Sequence, residues 1–230
     1  MAARFSTWSI VTLIIAGVLI AGALVTLAMT WQNDQDANPD LARIRQLQQS
    51  GDVGGLVEMT RKQDTDIARK AVGALGPLGE KATPALIVAM KDSRPMVRSK
   101  AAVTLNQTIS KGVIEQKDAQ QALVEAAKTD PDEGVRSSAI TTLGHARAYE
   151  TMDTILDGME DASPAVREAA HQAMRKVLGL DYPFKADDPE PKRRQMVQMI
   201  RSAWKQPGFR ERIEEYYQGR FKRIYKRFAR

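Results

Sequence analysis

Between residues 53 and 178 the apolar positions advance in helical steps, and the steps themselves recur. Val97, Ala101 and Leu105 lie four residues apart, as do Val135, Ala139 and Leu143, and again Val166, Ala170 and Met174. Residues four apart share one face of an α-helix, so each trio forms a stripe that a neighbouring element must cover. The same phrase surrounds each stripe. It is fullest as Asp161-Ala162-Ser163-Pro164-Ala165-Val166-Arg167-Glu168-Ala169-Ala170, with copies over residues 92–101 and 130–139 and a fainter one from Ile67 through Ala71 to Leu75. Anchored on Ile67, Val97, Val135 and Val166, the spacings are 30, 38 and 31 residues. A period of that size predicts a solenoid, in which each repeat buries its stripe against the next.

The pattern predicts helix pairs: 53–62 with 67–75, 84–91 with 96–109, 119–128 with 135–146, and 152–159 with 165–178. A leading helix opens at Asn38-Pro39, a cap followed by a first-turn proline, and ends near Ser50-Gly51, with Leu41, Ile44 and Leu47 on one face. Thr83-Pro84 and Ser163-Pro164 read as helix starts of the same kind. Alanine at the middle of each stripe, Ala101, Ala139 and Ala170, predicts helix axes that approach closely.

The Asp-x-x-Pro-x-Val-Arg-x-x-Ala phrase, together with Ala74-Leu75-Gly76-Pro77-Leu78-Gly79 and Ala82-Thr83-Pro84-Ala85-Leu86, resembles the HEAT repeats of bacterial proteins, including the HEAT-like repeats named after phycobilisome lyases. The resemblance covers residues 52–179 and implies an all-α solenoid of helical hairpins. It also implies a ladder of charge-assisted hydrogen bonds between successive repeats, which by position would use Asp92, Arg98, Asp130, Arg136, Asp161 and Arg167. The first copy departs from the pattern, with Lys62 and Ala68 at the matching places, as terminal repeats often do. The stretch from Leu180-Asp181-Tyr182-Pro183 through Lys192-Arg193-Arg194 to Ala203-Trp204 looks like the tail that follows HEAT repeats in some planctomycete proteins, where it caps the stack.

Charge changes the picture at the two ends. From Ile10 to Met29 no residue is charged and none is proline, and Trp8 and Trp31 flank the run. At about 1.5 Å per residue such a helix crosses a bilayer core of about 30 Å, so a single membrane span near residues 8–31 is expected. A cleaved signal peptide is the alternative, with Arg4 before the run and Ala21-Gly22-Ala23 as its small-residue site, but the apolar run continues past the usual length. Positive charge is nearly balanced across the span, and the reading taken is an N-terminus inside with the repeat domain outside the cytoplasm. At the other end, residues 192–230 hold 13 Lys and Arg against three Glu, so the basic pI of about 9.5 belongs to the tail; residues 1–191 carry 21 basic against 25 acidic side chains. A nucleic-acid-binding solenoid is therefore not expected.

After Pro207-Gly208 a last helix is predicted, with Phe209, Ile213, Tyr217, Phe221, Ile224 and Phe228 as an apolar stripe. Arg212, Arg220, Lys222, Arg223, Lys226, Arg227 and Arg230 give it a basic component. Three uses compete: docking on the solenoid or a partner helix, lying on an anionic membrane, or binding phosphate backbones. Arg212, Arg220, Phe221, Lys222, Arg223, Lys226, Arg227 and Phe228 are the candidate membrane- or partner-binding residues.

Catalytic and metal signatures are missing from the sequence. There is no Cys, no Gly-x-Ser-x-Gly elbow, no phosphate-binding glycine motif and no His-Glu-x-x-His, and His145 and His171 fall in different repeats. The regularly spaced Asp and Arg residues are read as structural. The chain thus divides into a membrane anchor over 1–33, the leading helix over 38–51, four repeats over 52–179, a linker and capping helix over 180–206, and the basic amphipathic helix over 207–230. The expected function is a membrane-tethered, non-catalytic scaffold that binds a protein partner and no cofactor. The alternative implied by the resemblance is a bilin-lyase-like or chaperone activity on a chromophore protein.

Overall fold

The computed structural model describes residues 38–108, 117–146, 149–209, 211–213 and 215. The apolar run 10–29 and the tail positions Arg220, Phe221, Lys222, Arg223, Lys226, Arg227 and Phe228 lie outside the described residues. Among the described residues every regular element is helical, and no helix is long and apolar enough to cross a membrane.

The described residues divide between two units, one ending at Gln46 and one beginning at Leu47, with the boundary inside helix α1 (Pro39–Ser50). In the first unit, Asn38 caps α1: its Oδ1 accepts from the backbone N–H of Asp40 at 2.9 Å and of Leu41 at 3.4 Å.

The second unit holds four helix pairs. These are α2 (Val53–Thr60) with α3 (Thr65–Leu75), α4 (Thr83–Ala89) with α5 (Pro95–Thr108), α6 (Lys117–Thr129) with α7 (Glu133–His145), and α8 (Met152–Gly158) with α9 (Pro164–Leu178). A helix α10 (Glu190–Trp204) follows. Two layers result: α3, α5, α7 and α9 pack in succession, and α2, α4, α6, α8 and α10 form the other row.

The stripes account for the stacking. Val97, Ala101 and Leu105, Val135, Ala139 and Leu143, and Val166, Ala170 and Met174 are all fully shut from solvent. Small residues set the spacing of the second-helix row. A Cβ on Gly144 of α7 would sit 2.6 Å from the Cα of Ala173 on α9, so a larger residue there would force the two helices apart. Asp64 and Asp132 cap α3 and α7 through their carboxylates. Helix α9 ends at Gly179, whose left-handed backbone (φ 66) lets its N–H return to the carbonyl of Arg175 at 2.8 Å.

Two expected caps are built differently. Thr83 lies inside the first turn of α4 and its hydroxyl turns to Thr108 Oγ1 at 3.3 Å, leaving Ala82 at the cap. Ser163 stands at the cap of α9, but its buried Oγ has no hydrogen-bond partner.

Candidate functional site

The loop-to-helix corners carry the most regular polar geometry. In each, an aspartate accepts from the backbone N–H two residues on: Asp92 from Arg94 at 2.9 Å, Asp130 from Asp132 at 3.0 Å, Asp161 from Ser163 at 2.8 Å. Six residues after each aspartate an arginine folds back and donates to two carbonyls of the same corner, as Arg136 does to Asp130 and Pro131 at 2.9 and 3.2 Å. The other edge of that guanidinium reaches the next corner. Arg98 donates from Nε and Nη2 to both oxygens of Asp130 at 2.8 Å each, and Arg136 does the same to Asp161 at 2.9 Å. These bidentate pairs fix the angle between repeats as well as holding them.

Electrostatics follow. Burial pushes the Asp130 and Asp161 carboxyls up, but the hydrogen bonds from Arg98 and Arg136, with a backbone N–H each, hold both below the ordinary carboxylate value. At these two rungs the guanidinium and carboxylate groups are therefore engaged with each other and with the backbone of the corners.

The two ends of the ladder depart from the expected pattern. Asp92 has no arginine from the preceding repeat, because Ala68 occupies that place. Arg94 supplies the charge instead: it pairs with Asp92 at 2.8 Å, holds that carboxyl low chiefly by its hydrogen bond, and donates to the carbonyls of Lys62 and Thr60 at 2.6 and 2.8 Å. At the far end Arg167, itself buried, faces no further aspartate; its Nε donates to the carbonyl of Ala186 at 2.7 Å. So Asp92 and Arg167 sit at the corners but do not form inter-repeat ion pairs. The sequence did hold a sign of Arg94's role, since an Asp whose partner position is Ala needs another cation nearby.

The cap over the last repeat is an apolar and ionic clasp. Phe184 is buried, with its ring 5.2 Å from that of His171. Helix α10 packs on α8, burying Val197 and Ile200 while Arg201 reaches Asp153 and Asp157 at 2.6 and 2.7 Å. Trp204 stacks on Tyr149 at 6.3 Å and meets Phe209 edge-on at 6.4 Å. Arg212, of the basic tail, is exposed and lies 5.8 Å from the centre of the Phe209 ring; Ile213 is buried.

The histidines are not brought together. His145 Nδ1 lies 3.2 Å from Asn106 Nδ2, and burial, then the charge of Lys176, push the imidazole down. His171 Nε2 is buried without a hydrogen bond, 3.9 Å from Asp181 Oδ1. Among the described residues no cluster of three or more His, Asp or Glu offers a metal site.

What remains is the outer side of the second-helix row, α3, α5, α7 and α9. It presents Arg69, Lys70, Met96, Ser99, Lys100, Val103, and then hydroxyls and small side chains on α7. Ser99 and Ser138 hydroxyls meet at 2.8 Å across α5 and α7.

Comparison with known proteins bears on this architecture. A family model described as HEAT repeats matches residues 54–143 and 120–201. The chain belongs to the HEAT-repeat family. No curated protein sequence matches it. Among solved structures, the HEAT chain is similar to the complex of CpcE and CpcF of phycocyanin lyase from Nostoc sp. PCC7120. The identity is 23%, covering 70% of this chain and 95% of that one, with a TM-score of 0.46. That similarity corrects one expectation. The lack of a familiar catalytic motif led to a non-catalytic reading, but the similar structure is that of a lyase. The non-catalytic assignment is withdrawn.

Proposed function

We propose that this HEAT protein is a scaffold whose second-helix face receives a protein partner, tethered to a membrane through the apolar run 10–29. The observation that carries the reading is the contrast between corner and face. At the two inter-repeat rungs the charges are consumed internally, Arg98 with Asp130 and Arg136 with Asp161, whereas on α5 Met96 and Val103 stand 57% and 42% exposed. Exposed apolar groups beside unpaired polar ones are what a protein interface is made from. Tethering would raise the effective concentration of a partner confined to the same membrane.

The test is positional. A photo-crosslinking residue is placed in the full-length chain at Ser137, on the second-helix face, and in a second variant at Gln121, on the first-helix row. Discrete adducts from Ser137 alone are expected. Equal labelling from both positions, or none from either, would sink the scaffold reading. Carbonate washing of membranes addresses the tether: the chain should stay with the lipid, and its release would remove that part of the proposal.

A further inference from the structure

A groove on the second-helix face joins apolar surface to positively charged side chains. It measures about 330 Å³ and runs across α5 between α3 and the start of α7; Arg69, Met96, Lys100 and Val103 are the side chains that give it character. Met96 and Val103 lie seven residues apart on one face of α5, so their exposed side chains form one strip. Lys100 lies between them and crosses over α3 at Gly73, where a Cβ would stand 2.9 Å from its Cε. No ion pair reaches Lys100 among the described residues. Arg69 is tied to Asp66 through Nη2 at 3.0 Å, yet its Nε is shut from solvent with no acceptor. The Arg69 side chain as a whole is 39% exposed, so the guanidinium can turn towards an incoming carboxylate or carbonyl. Two carboxylates oppose this charge: Asp66, paired with Arg69, and Asp132, whose Oδ1 is turned to cap α7 through the N–H of Val135, which leaves the Lys100 ammonium as the charge free for a ligand.

We infer that this groove binds a short acidic segment of a partner protein, one that sets an aliphatic or aromatic side chain against Met96 and Val103 and a carboxylate against Lys100 and Arg69. The inference rests on the scaffold reading and names the chemistry of its partner. The volume suits one large side chain with a stretch of backbone, not a cofactor enclosed on all sides. Like charge makes the chain's own basic residues 207–230 a poor occupant.

A random-peptide display library panned on the full-length chain supplies the probe. Recovered peptides should pair Leu, Ile or Phe with Asp or Glu. For the best of them, measured by fluorescence anisotropy, Met96→Ala and Lys100→Glu should each weaken Kd by about tenfold. Met199→Ala, at an exposed site on α10, should leave it unchanged. The same peptide with its acids replaced by Lys should bind the Lys100→Glu chain better than the wild type. Matching melting curves exclude misfolding, since Met96 is exposed and Lys100 only half-buried. Recovery of basic peptides, no recovery at all, or binding indifferent to Met96→Ala and Lys100→Glu overturns the groove. If peptide binding is instead abolished by Thr141→Arg on α7, or Ser137 still gives discrete crosslinks, the scaffold reading survives that failure. Loss of both the peptide and the crosslinks removes the two together.

Discussion

Arg136 shows how much one side chain holds in this molecule. It ties its own corner through the carbonyls of Asp130 and Pro131 and the next corner through both oxygens of Asp161. With side-chain exposures of 16% and 15%, the pair is screened far less than a surface ion pair. Arg136→Ala leaves Asp161 charged and half-buried, and should lower unfolding free energy by about 2–3 kcal/mol in denaturant melts. A cycle with Asp161→Ala should show strong coupling; additive losses would mean that the bidentate geometry contributes little. The same pairs set the acid response. Asp130 and Asp161 are held below their ordinary value in the folded chain, so the folded state binds fewer protons than the unfolded one in that range. Their contribution is complete above the unfolded pKa and disappears as pH falls through the depressed folded values. The melting temperature should therefore drop steeply below about pH 4, and less steeply in Asp161→Asn.

Helices in this chain are short and only weakly self-sufficient, and their stability comes from the stripe each one buries. Ala139 and Ala170 are fully shut from solvent, and a Cβ added to Gly158 on α8 would stand 3.1 Å from that of Ala170. Ala170→Leu should therefore overpack the seam between α8, α7 and α9, at about 1–3 kcal/mol, and Ala139→Leu should do the same. An unchanged melt of either variant would contradict this packing. The cap is an element of the same kind. Phe184→Ala removes a buried ring lying against His171 and should cost about 3 kcal/mol, with increased protease cleavage between residues 180 and 190 as its local signature. Helices were legible at this scale because period and punctuation are local properties. The caps at Thr83 and Ser163 were less so, since a hydroxyl chooses among partners that only the folded neighbour supplies, as Thr108 does for Thr83.

At the scale of the whole molecule, each repeat touches chiefly its neighbours, so protection should grade along the stack. Amide exchange should be slowest in α5 and α7, which have second-helix neighbours on both sides, and fastest in α2 and α10 at the ends. Uniform protection throughout would mean one cooperative unit. The candidate groove belongs to this scale too. Met96 and Lys100 were visible only as an exposed apolar residue and a lysine, and nothing in their own repeat marked them. They matter because α3 contributes Arg69 and Gly73 from about thirty residues away.

The sequence by itself determined the helical pairs, the repeat period and the buried stripes, because those depend on which side chains share a helix face and on a phrase that recurs. It also placed Arg98, Asp130, Arg136 and Asp161 at equivalent corners. Only the tertiary structure decided what meets across repeats. It set Arg94 in the place that Ala68 leaves open, turned Arg167 to the Ala186 carbonyl, and left Arg69 Nε without an acceptor beside Met96 and Lys100. Such pairings depend on the offset between stacked helices, and that offset is fixed by small residues such as Gly144 and Ala173 in contact, not by any local pattern.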